Sequence, residues 1–302
     1  MAKVIKLSAQ QTSQFWPVPV VYEDVELLAL DKPSGLSVTL LPNQTADEPT
    51  LVKLLHAGIA AGRSWAVESG ISYLQPVHHL DAEASGLLLF AKTKTAFTTL
   101  TNTAGSDQLN RTYLALIQGC PGDDTWEVDL PINPKQAPSG FFRVDDRRGK
   151  KSLTKFEVVE RYSRWSLIKC RPAFDRPHQI RAHLAVDRMP LAGDPLYRGG
   201  LIYLSRLKKN YSIKEGADER PMMSRPALHS ETVQITHPAT GADLILTCPP
   251  PNDFAVTIKY LKRFAYKRMP PRIGPAVMLI NLVVEILRLK EEALERLLAL
   301  CR

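Results

Sequence analysis

Cysteine is scarce in this 302-residue sequence. There are four, Cys120, Cys170, Cys248 and Cys301, and no two are close enough to form a CxxC pair. That spacing excludes a cysteine-based zinc or redox motif and suits reduced, buried thiols of a cytoplasmic protein. HExxH, HxH and His/Cys/Cys groupings are also missing, and no metal or other cofactor is expected. No apolar run is long enough to span a bilayer. The most apolar stretch, "PAVMLINLVVEILRL", is broken by Asn281 and Glu285. The start, "MAKVIKLSAQQTSQFW", has two lysines but no apolar centre, so it does not read as a secretory signal. There is no internal repeat and no low-complexity tract. Acidic residues are the minority charge, 31 against 39 Lys and Arg, for a net charge of +8. A cationic balance serves solubility or a polyanionic partner, nucleic acid above all.

What is present is enough for a sizeable core, with 44% hydrophobic residues. "PVPVVYEDVELLALDKPSGLSV" reads as a hairpin around Asp24, ending in a turn at Pro33-Ser34-Gly35. "TLVKLLHAGIAAG" has helical spacing, and "SGLLLFAK" is an apolar run of strand length. "RTYLALIQGC" alternates at Tyr113, Ala115 and Ile117. "LTKFEVVERY" and "RWSLIKCRPA" form an antiparallel pair around Ser163, and "RPHQIRAHLAVDR" follows with helical period. Many strands and few helices, without βαβ alternation, predict an α+β fold. Its sheet is expected to be mixed and mainly antiparallel, with helices and loops around a central cleft. Residues 1–17 are expected to be a tail, 18–252 the main domain, and 253–302 a basic, helical extension.

Two segments carry chemistry. In "PVHHLDAEASGLLLF", His78, His79 and Asp81 are each able to bind a metal, but neighbouring residues in an extended chain face opposite ways. Asp81 before small residues and an apolar strand suits a rigid nucleophile or base, and equally a turn-capping carboxylate. The second segment is "FDRPHQIRAHL". Gln179, Arg181 and His183 alternate with Ile180, Ala182 and Leu184, so the polar groups cannot all reach water. A partly buried arginine needs an anionic partner, and Asp81 is a candidate.

Several motifs, taken in order, resemble the RluA family of RNA pseudouridine synthases. Residues 78–86, "HHLDAEASG", match its HRLDxxTSG pattern, and residues 32–36, "KPSGL", its KPxGL. "RTYLALIQG" (111–119) resembles KxYLALVxG, and "GKKSLTKFEVVERY" resembles GKxAxTxYxVLxRY. "DRPHQIRAHLA", "LAGDPLY", "LHS" and "ITHP" follow in family order, so the likeness covers roughly residues 18–252. The resemblance implies isomerisation of uridine to pseudouridine in structured RNA, ribosomal or transfer. It implies Asp81, Tyr113 and Arg181 as catalytic residues. Contacts to the substrate would come from His79, Leu80, Arg176, His178, Gln179, Ile180 and Lys32. The uridine would be flipped out of its stack and would pack on Tyr113.

The chain departs from that pattern in three places. His79 stands where the family has Arg, Ala84 where it has Thr, and Phe174-Asp175-Arg176-Pro177 replaces TGRT. A protein that keeps the fold but only binds RNA is therefore the alternative, and a metal-dependent hydrolase using His78, His79 and Asp81 a third. In the C-terminal part, Tyr260, Phe264 and Tyr266 interleave with five basic residues, which suits RNA contact or an amphipathic helix laid on the domain. Leu279, Ile286, Ala293 and Leu300 recur at sevens, the spacing of a self-associating coiled coil or of a helix folded back on the domain.

Overall fold

The computed structural model describes residues 3–9, 13–40, 45, 47–104, 109–213 and 216–265. Its strands are β1 (Val4–Ala9), β2 (Gln14–Glu23), β3 (Leu27–Lys32), β4 (Gln75–Pro76), β5 (Ser85–Ala91), β6 (Asn110–Gln118), β7 (Thr125–Asp129), β8 (Leu153–Arg161), β9 (Trp165–Pro172), β10 (Leu228–Thr236) and β11 (Asp243–Thr247). The helices are α1 (Leu51–Ala60), α2 (Ser64–Glu68), α3 (Lys94–Ala104), α4 (Gln179–Val186), α5 (Leu204–Leu207) and α6 (Asn252–Phe264). All strands join one sheet in the order β1-β2-β3-β5-β10-β6-β9-β8-β7, with β4 added on β5 and β11 on β10. Each pairing is antiparallel except β5 with β10, where Ser85 lies opposite His229 and Ser230 opposite Gly86. The expected α+β fold with a mainly antiparallel sheet is what the chain adopts.

β5 explains why a sheet can carry an unbroken apolar run. Its seven residues, "SGLLLFA", are all buried because the sheet is covered on both faces there. Leu88 and Phe90 enter the core on one face with Leu28, Leu30 and Leu51, and Leu87 and Leu89 enter the other with Leu27, Ala29 and Leu100. α1 starts where the Thr50 side chain accepts from Lys53 N, an N-cap that satisfies one otherwise orphaned donor. Its buried Leu51 and Leu55 face that core.

Two expected boundaries move. Residues 4–9 belong to no tail. Ile5 and Leu7 alternate inward and are buried, while β1 pairs along β2 from Val4–Pro19 to Ala9–Gln14. The period-2 pattern in "VIKLSA" explains it, since such a strand buries one face. At the other end, α6 is part of the body. Phe254 and Leu261, seven residues apart, are fully buried against a cluster containing Leu114, Leu116 and Trp165. Its Lys259 and Arg263 stay in water, so an amphipathic helix laid on the domain is the arrangement observed for this stretch. The heptad pattern beyond it, and self-association through it, lie outside the described residues. Among the described residues no helix is long and apolar enough to cross a membrane.

Gly86 sits where β5 starts beside β10, at φ +107°. A Cβ there would run into the Ser230 carbonyl and the His229 ring. Gly86→Ala is expected to lower stability by about 3 kcal/mol, from backbone strain and collision together, which thermal unfolding of the purified variant would measure.

Candidate active site

Asp81 lies in the irregular segment 77–84 between β4 and β5, and this segment is pinned from several sides. Val77 N donates to Leu89 O, and the buried His78 ring accepts from Leu89 N. His79, its neighbour, points the other way and is exposed. Lys32 is fully buried beneath the segment and donates its three N–H groups to Pro33 O, Leu36 O and Ala82 O. Burial drives that ammonium down to about 7, with Asp81 and Glu83 pulling the opposite way. Ser34 Oγ donates to Glu83 O, and Gly35 N to Ala82 O. The turn at Pro33-Ser34-Gly35 is therefore a bracket for the Asp81 segment.

Opposite it, α4 presents an arginine with 1% of its side chain exposed. Arg181 makes a two-pronged pair with Asp194, Nε to Oδ2 at 2.7 Å and Nη2 to Oδ1 at 2.9 Å. Its remaining nitrogen, Nη1, reaches Asp81 Oδ2 and Glu83 Oε2, each at 3.3 Å. Asp194 is the stronger tether, because two short parallel bonds fix a guanidinium in plane. Asp194 also accepts from Leu196 N and Tyr197 N. Arg181 is thus held first by a buried structural carboxylate and then aimed at the half-buried Asp81. Burial pushes the Asp81 carboxyl up, but the His178 ring and Arg181 outweigh it and leave it below the usual carboxylate range.

His178 caps α4 in the left-handed region, φ 53°. Its Nε2 lies 3.2 Å from Arg181 Nη1, which can only donate, so Nε2 accepts and the proton sits on Nδ1, 3.3 Å from Tyr197 Oη. Tyr197 in turn donates to Phe142 O and accepts from Phe142 N. Burial lowers the pKa of His178, with Asp81 pulling the opposite way.

Tyr113 rises from β6 and lines a narrow slot over Asp81 with Leu80, Ile180, Phe174 and Leu228. Burial raises its pKa, so the phenol stays protonated. The slot holds about 40 Å³ and continues into a wider cleft of about 400 Å³ lined by His79, Glu83, Phe142, Arg176 and His178. The basic loop from Arg143 to Lys151 borders this cleft, since Phe142 lines it and Arg176 Nε donates to Lys151 O.

Of the residues singled out from sequence, Asp81, Arg181 and His178 meet directly, and Tyr113, His79, Leu80, Arg176 and Ile180 surround them. Lys32 and Gln179 are tied down by the protein itself, although Gln179 also lines the slot. Lys32 lies behind the segment, and the Gln179 amide is spent on Leu153 O, Thr154 Oγ1 and Arg176 N. His183, on the same helix, bonds Thr154 and Leu130 and is a satisfied core histidine. The sequence reading missed Glu83, Asp194 and Tyr197. Asp194 was findable: an aspartate inside the apolar "LAGDPLY" needs a cation. Among the described residues, no three His, Cys, Asp or Glu side chains converge as metal ligands would.

A family model described as RNA pseudouridylate synthase matches residues 26–186. The chain is 30% identical to ribosomal large subunit pseudouridine synthase D of Xanthomonas campestris, over 83% of this chain and 71% of that one. It is 30% identical to ribosomal large subunit pseudouridine synthase C of Salmonella typhimurium, over 80% of this chain and 70% of that one. Among solved structures, human RNA pseudouridylate synthase domain containing 4 shares the fold, with a TM-score of 0.58 at 20% identity over 80% of this chain and 92% of that one. A cleft with one ionised aspartate at its floor, together with these similarities over most of the chain, places it: this protein belongs to the RNA pseudouridylate synthase family, the isomerases that turn uridine into pseudouridine within RNA.

Proposed function

We propose that the substrate is a uridine of large-subunit ribosomal RNA and that Asp81 acts on it as nucleophile or base, in the cytoplasm. The observation that carries this is the ionised, half-buried Asp81, fixed by an arginine that Asp194 already holds in place. The RNA comes from the names of the similar proteins, which act on the large ribosomal subunit. The isomerisation breaks the bond from the ribose to N1 and remakes it to C5, with a proton lost at C5 and one gained at N1. Composition is unchanged, so no electron donor or acceptor is called for. Tyr113 supports a stacking role, since it lines the slot and keeps its proton. A slot of about 40 Å³ takes a water or two and not a uracil ring. The flipped base therefore has to part Tyr113 from the Phe174–Arg176 segment, or approach Asp81 through the wider cleft.

Mapping pseudouridine in ribosomal and transfer RNA from cells with and without this protein tests the proposal. One ribosomal site is expected to revert to uridine. If no site changes while the purified protein still binds RNA, a binding-only protein is the better description.

RNA binding is expected to depend on salt. The net charge is +8, and Arg143, Arg147, Arg148, Lys150 and Lys151 stand exposed beside the cleft. Each phosphate contact releases counterions, so Kd should rise at least about tenfold between roughly 50 and 200 mM salt. A filter-binding titration at several salt concentrations would show it. A flat response would mean that the basic loop does not face the RNA.

A further inference from the structure

Asp175 is unexplained by the chemistry above. It occupies a position where the family pattern has glycine, and it lies at the rim of both the slot and the cleft. One carboxylate oxygen, Oδ1, is 2.9 Å from Arg111 Nη1. The other, Oδ2, accepts from the backbone N–H of His79 at 3.0 Å. Arg111 has 5% of its side chain exposed, and neither its Nε nor its Nη1 makes a hydrogen bond, so the contact to Asp175 is an ion pair held by proximity of charge. Asp175 is its ion-pair partner among the described residues. Among the described residues, this buried guanidinium therefore takes its counter-charge from Asp175.

What makes this pair informative is where its two ends are attached. Arg111 is two residues before Tyr113 on β6. His79 is two residues before Asp81 in the irregular segment, where no ladder hydrogen bonds fix the backbone. Within that segment the carbonyls of Ala82 and Glu83 are pinned from the Lys32–Ser34 side, and His78 is pinned to β5. The stretch between those pins is tied to the strand that carries Tyr113 by the carboxylate of Asp175. We propose that Asp175 is a positioning residue: shared between Arg111 and His79 N–H, it sets the distance between Asp81 and Tyr113, the two walls of the slot. The side chains of Arg111 and Asp175 and the backbone of His79 meet in this one clamp.

The clamp also constrains what else can bind there. Asp175 is 37% exposed, yet both of its oxygens are engaged, so its charge is answered from within the protein rather than by the RNA. Its part in the reaction rests on the function proposed above; the clamp itself does not.

The test uses full-length protein. Asp175→Asn takes from the buried Arg111 its counter-charge among the described residues and puts the fold itself at risk, so the decisive variant is the double substitution Asp175→Asn with Arg111→Met. It removes both charges together and keeps an acceptor-sized side chain at 175. Amide hydrogen exchange in residues 77–84 is expected to quicken, while exchange in β5 stays as it was. Single-turnover conversion at saturating RNA is expected to fall by roughly 10- to 100-fold with little change in Kd, the signature of misplaced reacting groups rather than lost binding. Asp175→Glu, which keeps the charge, should recover part of the rate. Unchanged exchange in 77–84 of the folded double variant would overturn the clamp. Quickened exchange with wild-type turnover would overturn its role in the reaction. If the unaltered protein converts no uridine in any RNA tried, the proposed function fails instead, and the exchange measurement still decides the clamp.

Discussion

Asp81→Asn is expected to yield a folded protein that binds RNA and converts uridine at least about 1000-fold more slowly, if at all. Asparagine keeps the size of the side chain and one acceptor for Arg181 Nη1, 3.3 Å away. It removes the charge that a nucleophile or base needs. The Arg181–Asp194 pair does not involve Asp81, so the helix–loop framework should stand. Circular dichroism and thermal unfolding would check the fold, and release of the C5 proton from labelled RNA would measure turnover. Wild-type turnover in Asp81→Asn would remove this carboxylate from the chemistry altogether.

Arg181→Met is expected to act on both stability and pH dependence. It leaves the fully buried Asp194 without its cation and, among the described residues, with two backbone N–H donors, a loss on the order of 3–5 kcal/mol. At the catalytic carboxylate the sign is set by what remains. Burial pushes the Asp81 pKa up, and one of the groups opposing it is gone, so the pKa rises. Its ionised form is then lost at a higher pH, and the acid limb of the pH–rate profile should move upward. In the unaltered protein the lowered pKa has the corresponding effect on stability. That contribution is present above the ordinary carboxylate range and disappears as pH falls through the depressed value. A folded Arg181→Met protein with wild-type turnover and an unmoved acid limb would separate Arg181 from Asp81.

Much of this was legible in the chain. The run "SGLLLFA" announced a buried strand, and alternation in "HQIRAHL" announced polar side chains turned inward. Gln179, Arg181 and His183 are indeed all buried, each with an internal partner. The Asp81–Arg181 contact was inferred because each group needs an opposite charge. What stayed hidden was how Arg181 divides its three nitrogens. Asp194 is thirteen residues further on and Asp81 a hundred residues back, and no local period links them to the arginine. Asp175 was visible only as a departure from a pattern, because its partners come from β6 and from a backbone N–H that no side-chain pattern records. The N-terminal strand is a different kind of miss. Its alternation is readable in "VIKLSA", but six residues ahead of the first motif carry no partner strand in their own pattern, and the pairing with β2 shows only in the fold.

The place of β10 has a consequence for how the chain is made. It lies between β5 and β6, so residues 228–236 complete a sheet whose other strands all come earlier, apart from β11. As the chain leaves the ribosome, β1 to β5 can pair among themselves, and so can β6 to β9. The two halves cannot join until β10 emerges, more than 130 residues after β5. Until then the apolar edges of β5 and β6 lie open to other chains, the state in which sheets aggregate. Closure over such sequence separations is slow. Truncation before Leu228 would therefore give two half-sheets rather than a smaller enzyme, and the yield of native protein should depend on chaperones more than its final stability suggests.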